Sequence, residues 1–321
     1  MTKKDEKVLV TGGSGFIGSH LIAELLKIDY DVYSLERYVT GRYVLGGQRM
    51  TKTVFADLRD LFTIRDLICK IQPDFVIHLA SISAVSYSYD HPNEVLENEL
   101  LGTINLAESC LRKATHFRQF LFAGTSEEYG NQETFPVKED AELRPNSPYA
   151  VGKVAADRYL QYMHNAYDFP VTILRNFNTY GRKDNAHFVV ERTITQMLKG
   201  KVLMLGDSKP VRDFLYVDDH VNSYLTCLKN EKAIGEVFNF CTGRGISIGQ
   251  LVDLIKELTD FKGEVVWNTI PKRPLDIAKQ VGDYSKAKKL LGWKPKYTLE
   301  EGLKLTVDFW KEKLQIILQH P

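Results

Sequence analysis

The chain has 321 residues and a formal net charge of +1 from 42 basic and 41 acidic side chains, a balance that leaves no footprint for nucleic acid or an anionic membrane. No apolar stretch approaches the roughly 18 residues of a membrane span, and the charged N-terminus leads into an apolar run too short for a signal-peptide core. Cys69, Cys110, Cys227 and Cys241 are scattered among apolar neighbours without C-x-x-C spacing, so buried thiols, no metal site and a reduced, cytoplasmic protein are expected.

The first elements read as strand, glycine turn and helix. Lys7-Val8-Leu9-Val10 meets Thr11-Gly12-Gly13-Ser14-Gly15-Phe16-Ile17-Gly18, then an amphipathic helix with Leu21, Ile22, Leu25 and Leu26. Gly12, Gly15 and Gly18 have the spacing that lets backbone N–H groups approach a pyrophosphate at a helix N-terminus, where the dipole favours negative charge. The second strand, Asp31 to Leu35, ends at Glu36-Arg37. An acidic side chain there accepts hydrogen bonds from an adenine ribose, and a basic one accommodates a 2′-phosphate. Glu36 therefore predicts NAD, while Arg37, with Arg42 nearby, leaves NADP open.

Thr53-Val54-Phe55 is a third strand leading into Ala56-Asp57-Leu58, followed by a helix from Leu61 to Ile71. His78 sits in the apolar strand Asp74 to Leu79 and reads as a core histidine. Ala80-Ser81 stand at that strand's carboxyl end, where open α/β sheets place ligands. A loop from Ser83 to Tyr87 precedes a long helix, Glu94 to Lys113. Gln119 to Gly124 is the fifth strand and delivers Thr125-Ser126-Glu127, a polar cluster where such a sheet keeps its chemistry. Ser147 caps, and Pro148 opens, a helix carrying Tyr149 and Lys153. Four residues apart, these two share one helix face. A lysine beside a phenol favours the phenolate, which would make Tyr149 a proton shuttle near neutral pH.

Val171 to Arg175 is a sixth strand, after which the alternation loosens, as at the start of a second module. A helix from His187 to Leu198, a loop-strand-helix segment from Gly206 to Asp219 and a returning strand, Val237 to Phe240, follow. Ser247 caps a helix carrying Leu251, Val252 and Ile255, and Thr298-Leu299-Glu300-Glu301 is a capping box for the last helix.

The order of glycine turn, Thr125-Ser126-Glu127 and Tyr149-x-x-x-Lys153 resembles the short-chain dehydrogenase/reductase superfamily, in its extended branch that modifies nucleotide sugars. The resemblance runs from Val8 to about Trp310. It implies an α/β fold: a Rossmann-type doubly wound parallel sheet over 1–175, with a return segment at about 236–247, and a smaller C-terminal α/β substrate-binding domain over 176–321. It also implies cofactor contacts from Gly12, Gly15, Phe16, Ile17, Gly18, Glu36, Arg37, Asp57, Leu58, Leu79, Ala80, Ser81, Tyr149 and Lys153, with Asp57-Leu58 against the adenine. Ser83, Ser86, Asn178, Arg212 and Arg273 fall on the substrate side. Helices 94–113 and 149–162 resemble those that pair members of the branch into dimers or tetramers.

Thr125-Ser126-Glu127 is similar to GDP-mannose 4,6-dehydratases, as are Thr40-Gly41-Arg42 and Phe188-Val189. Glu36 departs from the basic residue of NADP-using members, and the chain is shorter than most of them. In the dehydratase reading Tyr149 takes the sugar 4-OH proton during hydride transfer, Thr125 orients the 4-oxygen and Glu127 removes the C5 proton. Ser126 stands where other members carry an acid for the leaving hydroxyl. Three rivals use the same fold: a 4-epimerase or UDP-glucuronate decarboxylase, a 4-keto reductase, and a non-catalytic dinucleotide sensor.

Overall fold

The computed structural model describes residues 6–38, 51–182, 188–271 and 273–319. The resemblance at Thr40 to Arg42 and the helix start at His187 lie outside them. The first half runs β1 (Lys7–Thr11), α1 (Phe16–Lys27), β2 (Asp31–Glu36), β3 (Lys52–Phe55), α2 (Leu61–Ile71), β4 (Phe75–His78), α3 (Val85–Asp90), α4 (Pro92–Leu96), α5 (Gly102–Lys113), β5 (Gln119–Thr125), α6 (Pro148–Tyr167) and β6 (Val171–Asn176). The second half continues with β7 (Asn178–Tyr180), α7 (Val189–Lys199), β8 (Val202–Met204), β9 (Val211–Arg212), β10 (Phe214–Tyr216), α8 (Val217–Cys227) and β11 (Val237–Phe240). It closes with β12 (Ile246–Ser247), α9 (Ile248–Thr259), β13 (Glu264–Val266), β14 (Lys279–Gln280), α10 (Ser285–Leu291) and α11 (Leu299–Gln319).

Seven strands form one parallel sheet in the order β11-β6-β5-β4-β1-β2-β3. Strand side chains alternate between its faces. Val8 and Val10 enter one core with α1 and α8, whereas Leu9 enters another with α2, α5 and α6. Helices on both faces explain why the central strands β1, β4 and β5 are buried along most of their length. The order reverses at β1, so the carboxyl ends of β1 and β4 flank the crevice where doubly wound sheets bind ligands. β11 completes the sheet beside β6, with Val237 opposite Ile173. Small sheets of β7 with β10, β12 with β9 and β14, and β13 with β8 stand beyond the crevice.

Several local signals were read correctly at residue level. Ser147 Oγ accepts from Ala150 N, Ser247 and Gln250 form a capping box, and Glu301 Oε2 accepts from Thr298 N. His78 is a neutral core histidine between Thr11 Oγ1 and Thr103 Oγ1. Two readings need correction. Val85–Asp90 is a short helix rather than loop. The helix read from Glu94 to Lys113 begins at Pro92 and is interrupted by a widened turn, Glu97–Leu101, in which Gly102 N donates to Glu97 O five residues back. All four cysteines are free, and Cys69 is exposed, because it lies on the outward face of α2, next to the buried Ile68.

Candidate active site

A cleft of about 790 Å³ opens across the carboxyl ends of the parallel strands and continues between the sheet and the small C-terminal sheets. At one end the glycine turn closes tightly: Gly12 has φ of +71°, and a Cβ there would stand 2.9 Å from Ala80 Cα. A Cβ on Gly18 would meet Gly12 O. No side chain caps α1 at Gly15, so the turn is a backbone cradle suited to a diphosphate. The residues present therefore fit a dinucleotide.

Glu36 projects from the end of β2 beneath this turn. Its carboxylate accepts from Ser14 N at 2.7 Å, Ser14 Oγ at 2.5 Å and Ser34 Oγ at 2.5 Å. Arg37 pairs with Glu94 at 3.5 Å and lies 4.5 Å from the Tyr38 ring. Asp57 is engaged locally. Arg59 takes its carboxylate through N, Nε and Nη2, the last at 2.6 Å, and holds its pKa low. Ala56 and Leu58 line the cleft and Asp57 does not.

The middle of the cleft gathers Leu79, Ala80, Ser81, Thr125, Ser126, Glu127, Tyr149 and Lys153. The Tyr149 phenol is buried and keeps its proton more tightly than a free tyrosine: burial raises its pKa and Glu99 adds to this, against hydrogen bonds with Thr125 and Ser81. Lys153 Nζ contacts Glu99 Oε2 at 2.9 Å and donates to Ala123 O at 3.0 Å.

Thr125 caps the short turn Ser126–Tyr129, with Glu128 returning to Thr125 N at 2.8 Å. Glu128 and Asp157 flank the buried Arg175 at 3.1 and 3.0 Å, and burial pushes Glu128 up to about 8. This network anchors the turn that aims Glu127. Burial also raises the Glu127 pKa, opposed by Arg212 and Arg273 and reinforced by Asp276.

At the far end stand Ser83, Ser86, Asn178, Arg212 and Arg273. Asn178 Nδ2 donates to Gln280 Oε1 at 3.2 Å. Arg212 is buried, lies 3.4 Å from Asp276 and donates to Val211 O at 3.0 Å, whereas Arg273 is exposed. Sequence reasoning did not find Glu99, Arg192, His220 or Asp276, of which the last three also line the cleft. His220 offers a signal in hindsight, a histidine straight after the acidic start of α8. It is buried, its pKa falls to about 3, and its Nε2 has no partner among the described residues.

The GDP-mannose 4,6 dehydratase family model matches residues 9–306. The chain belongs to that family. It is thereby an enzyme of the extended short-chain dehydrogenase/reductase family, which includes epimerases and dehydratases. Within it, the chain is 32% identical to a dTDP-glucose 4,6-dehydratase of Haemophilus influenzae, over 94% of this chain and 97% of that one. A UDP-glucose 4-epimerase of Thermotoga maritima, solved with UDP-glucose, is 34% identical with a TM-score of 0.89, over 96% and 99%. The UDP-glucose 4-epimerase of Thermus thermophilus, solved with NAD, is 31% identical with a TM-score of 0.87, over 95% and 99%. Family members of both reactions therefore share this architecture end to end.

Proposed function

We propose that this protein is an NAD-dependent nucleotide-sugar 4,6-dehydratase acting on GDP-mannose or a related NDP-hexose. The observation that carries the reading is Glu127, a half-buried carboxyl with raised proton affinity, lining the same cleft as Tyr149. A 4-epimerase needs proton and hydride exchange at C4 alone. Dehydration needs a further group to take the C5 proton and supply one to the departing C6 hydroxyl, and a carboxyl of raised pKa suits both.

The glycine cradle and Glu36 would hold NAD, and Glu36 would repel a 2′-phosphate. When bound, NAD supplies a hydride acceptor at C4 and the hydride for C6. Tyr149 must be ionised to take the 4-OH proton, and Lys153 is the cation on its helix face that favours this; Thr125 hydrogen-bonds the 4-oxygen. The resulting ketone acidifies C5–H. Glu127 takes that proton and passes it to the leaving hydroxyl, so water departs and Ser126 need not act as an acid. Arg212 and Arg273 face the diphosphate.

The 4-epimerase reading is favoured by the two solved epimerases of closely similar fold. The mass of the product from a panel of GDP-mannose, dTDP-glucose and UDP-glucose separates the two: loss of water is expected, and an unchanged mass would give the site to epimerisation. We place the cofactor-binding half at 1–175 with the return segment near 236–247, and the substrate-binding half at 176–321. The exposed Leu101, Val151 and Tyr162, from the helices 92–113 and 148–167, form the contact of a proposed homodimer or homotetramer.

A further inference from the structure

The chain beyond the Ser126–Tyr129 turn runs alongside the segment that carries Asp276. Val137 N donates to Val281 O at 2.8 Å, and Asp283 N donates to Val137 O at 2.8 Å. Earlier in the same stretch an exposed side chain takes the place of backbone. Asn131 Nδ2 donates to Asp276 O at 3.2 Å, and Asn131 Oδ1 accepts from Ala278 N at 3.0 Å. A carboxamide that engages the C=O of one residue and the N–H two residues on makes the pair of bonds a neighbouring strand would make. On its other side, Ala278 O accepts from Val211 N at 2.9 Å, where the pairing of β14 with β9 begins. One residue thus stands between Asn131 and the strand of Arg212.

The Arg212 guanidinium has few restraints of its own. It donates to Val211 O at 3.0 Å and to Asp276 Oδ1 at 3.4 Å, and among the described residues Asp276 is the side chain that holds it. Asp276 Oδ1 in turn accepts from Ile277 N at 2.9 Å, so the backbone on either side of Ile277 aims the carboxylate. Asn131 grips that backbone on both sides. We propose that Asn131 is a positioning residue for the diphosphate of the nucleotide sugar: its carboxamide fixes residues 276–278 and, through Asp276, the Arg212 guanidinium. This deepens the substrate reading above and rests on Arg212 facing the diphosphate. Tyr89 steadies the same segment more loosely, with its hydroxyl 3.0 Å from Asn146 O and 3.4 Å from Leu275 O.

Asn131→Ala removes both bonds at an exposed position. Calorimetry with the tightest-bound of GDP, dTDP and UDP should show a dissociation constant about 3–10-fold higher, the worth of an ordinary hydrogen bond. In turnover KM should rise by a similar factor while kcat holds, because binding common to ground and transition states is lost. A merely structural role would lower the melting temperature and leave that split alone. In an Asp276→Ala background Asn131→Ala should add nothing, since both act through one carboxylate. Unchanged affinity in a folded Asn131→Ala protein overturns the proposal, and so does an equal loss with the Asp276 carboxylate already removed. A wild type that binds none of the three nucleoside diphosphates overturns the substrate reading, and this proposal falls with it.

Discussion

Gly152 and Glu99 face each other where α6 crosses the widened turn: a Cβ on residue 152 would stand 2.9 Å from Glu99 Cβ. The glycine of Tyr149-Ala150-Val151-Gly152-Lys153 thus makes room for the acid that holds the lysine. Gly152→Ala must push Glu99 aside, at about 1–3 kcal/mol for overpacking. Because small misplacements near the chemistry cost about 10²-fold, kcat should fall by that order while the protein still folds. Turnover and urea denaturation measured together check this, and normal turnover would show that Glu99 tolerates displacement.

Glu127 and Tyr149 should fail in different ways. Glu127→Gln keeps its shape but cannot accept the C5 proton, so oxidation at C4 survives and reduced nicotinamide absorbance accumulates. Release of the 6-deoxy product should drop by about 10²–10⁴-fold. Tyr149→Phe should show no reduced nicotinamide at all. In heavy water the wild type should carry deuterium at C5. Dehydration at the normal rate by Glu127→Gln would remove that residue from the chemistry.

Acid should unfold the protein partly through two histidines. His78 and His220 are buried neutral, and burial lowers each from 6.5 to about 3. Between those values the unfolded chain binds protons that the folded chain refuses, so each contributes stability that is present above pH ~6.5 and is lost as pH falls. Replacing His220 by Gln should flatten the dependence of stability on pH in that window by up to about 1.4 kcal/mol per pH unit. Urea midpoints of wild type and variant at pH 4–6.5 provide the comparison, and parallel slopes would contradict it.

Arg212 and Arg273 should not be equivalent. Arg212 is buried beside Asp276, so Arg212→Met should weaken nucleotide-sugar binding by about 2–5 kcal/mol. Arg273 is exposed and should matter less. Michaelis constants of the two variants rank them, and an unchanged value for Arg212→Met would take it out of the site.

What the sequence disclosed and what it hid follow from the range of the interactions. The glycine turn, the Ser147 and Ser247 caps and the Tyr149–Lys153 spacing are local, and each is decided within a few residues. Glu99 was hidden because it sits in what reads as one long helix from Glu94 to Lys113, and the extra residue of a widened turn has no compositional mark. Its partners Lys153 and Ser81 come from elsewhere in the chain. Asp57 shows the opposite case, since Arg59, only two residues away, engages its carboxylate locally. The raised proton affinity of Tyr149 needed the third dimension, because burial is its largest cause and spacing alone does not show burial.

The widened turn also fixes a phase. A helix advances about 100° per residue, so one added residue between Pro92 and Lys113 lets the two ends of that helix keep different angular registers. Val95 and Leu106 are both buried on either side of it. Deleting a single residue from 97–101 would restore a regular helix and swing one end against the other by that angle. Either an apolar side chain turns to solvent, or Glu99 turns away from Lys153. Chain length in this segment is therefore as constrained as residue identity, although no residue within it belongs to a recognisable motif.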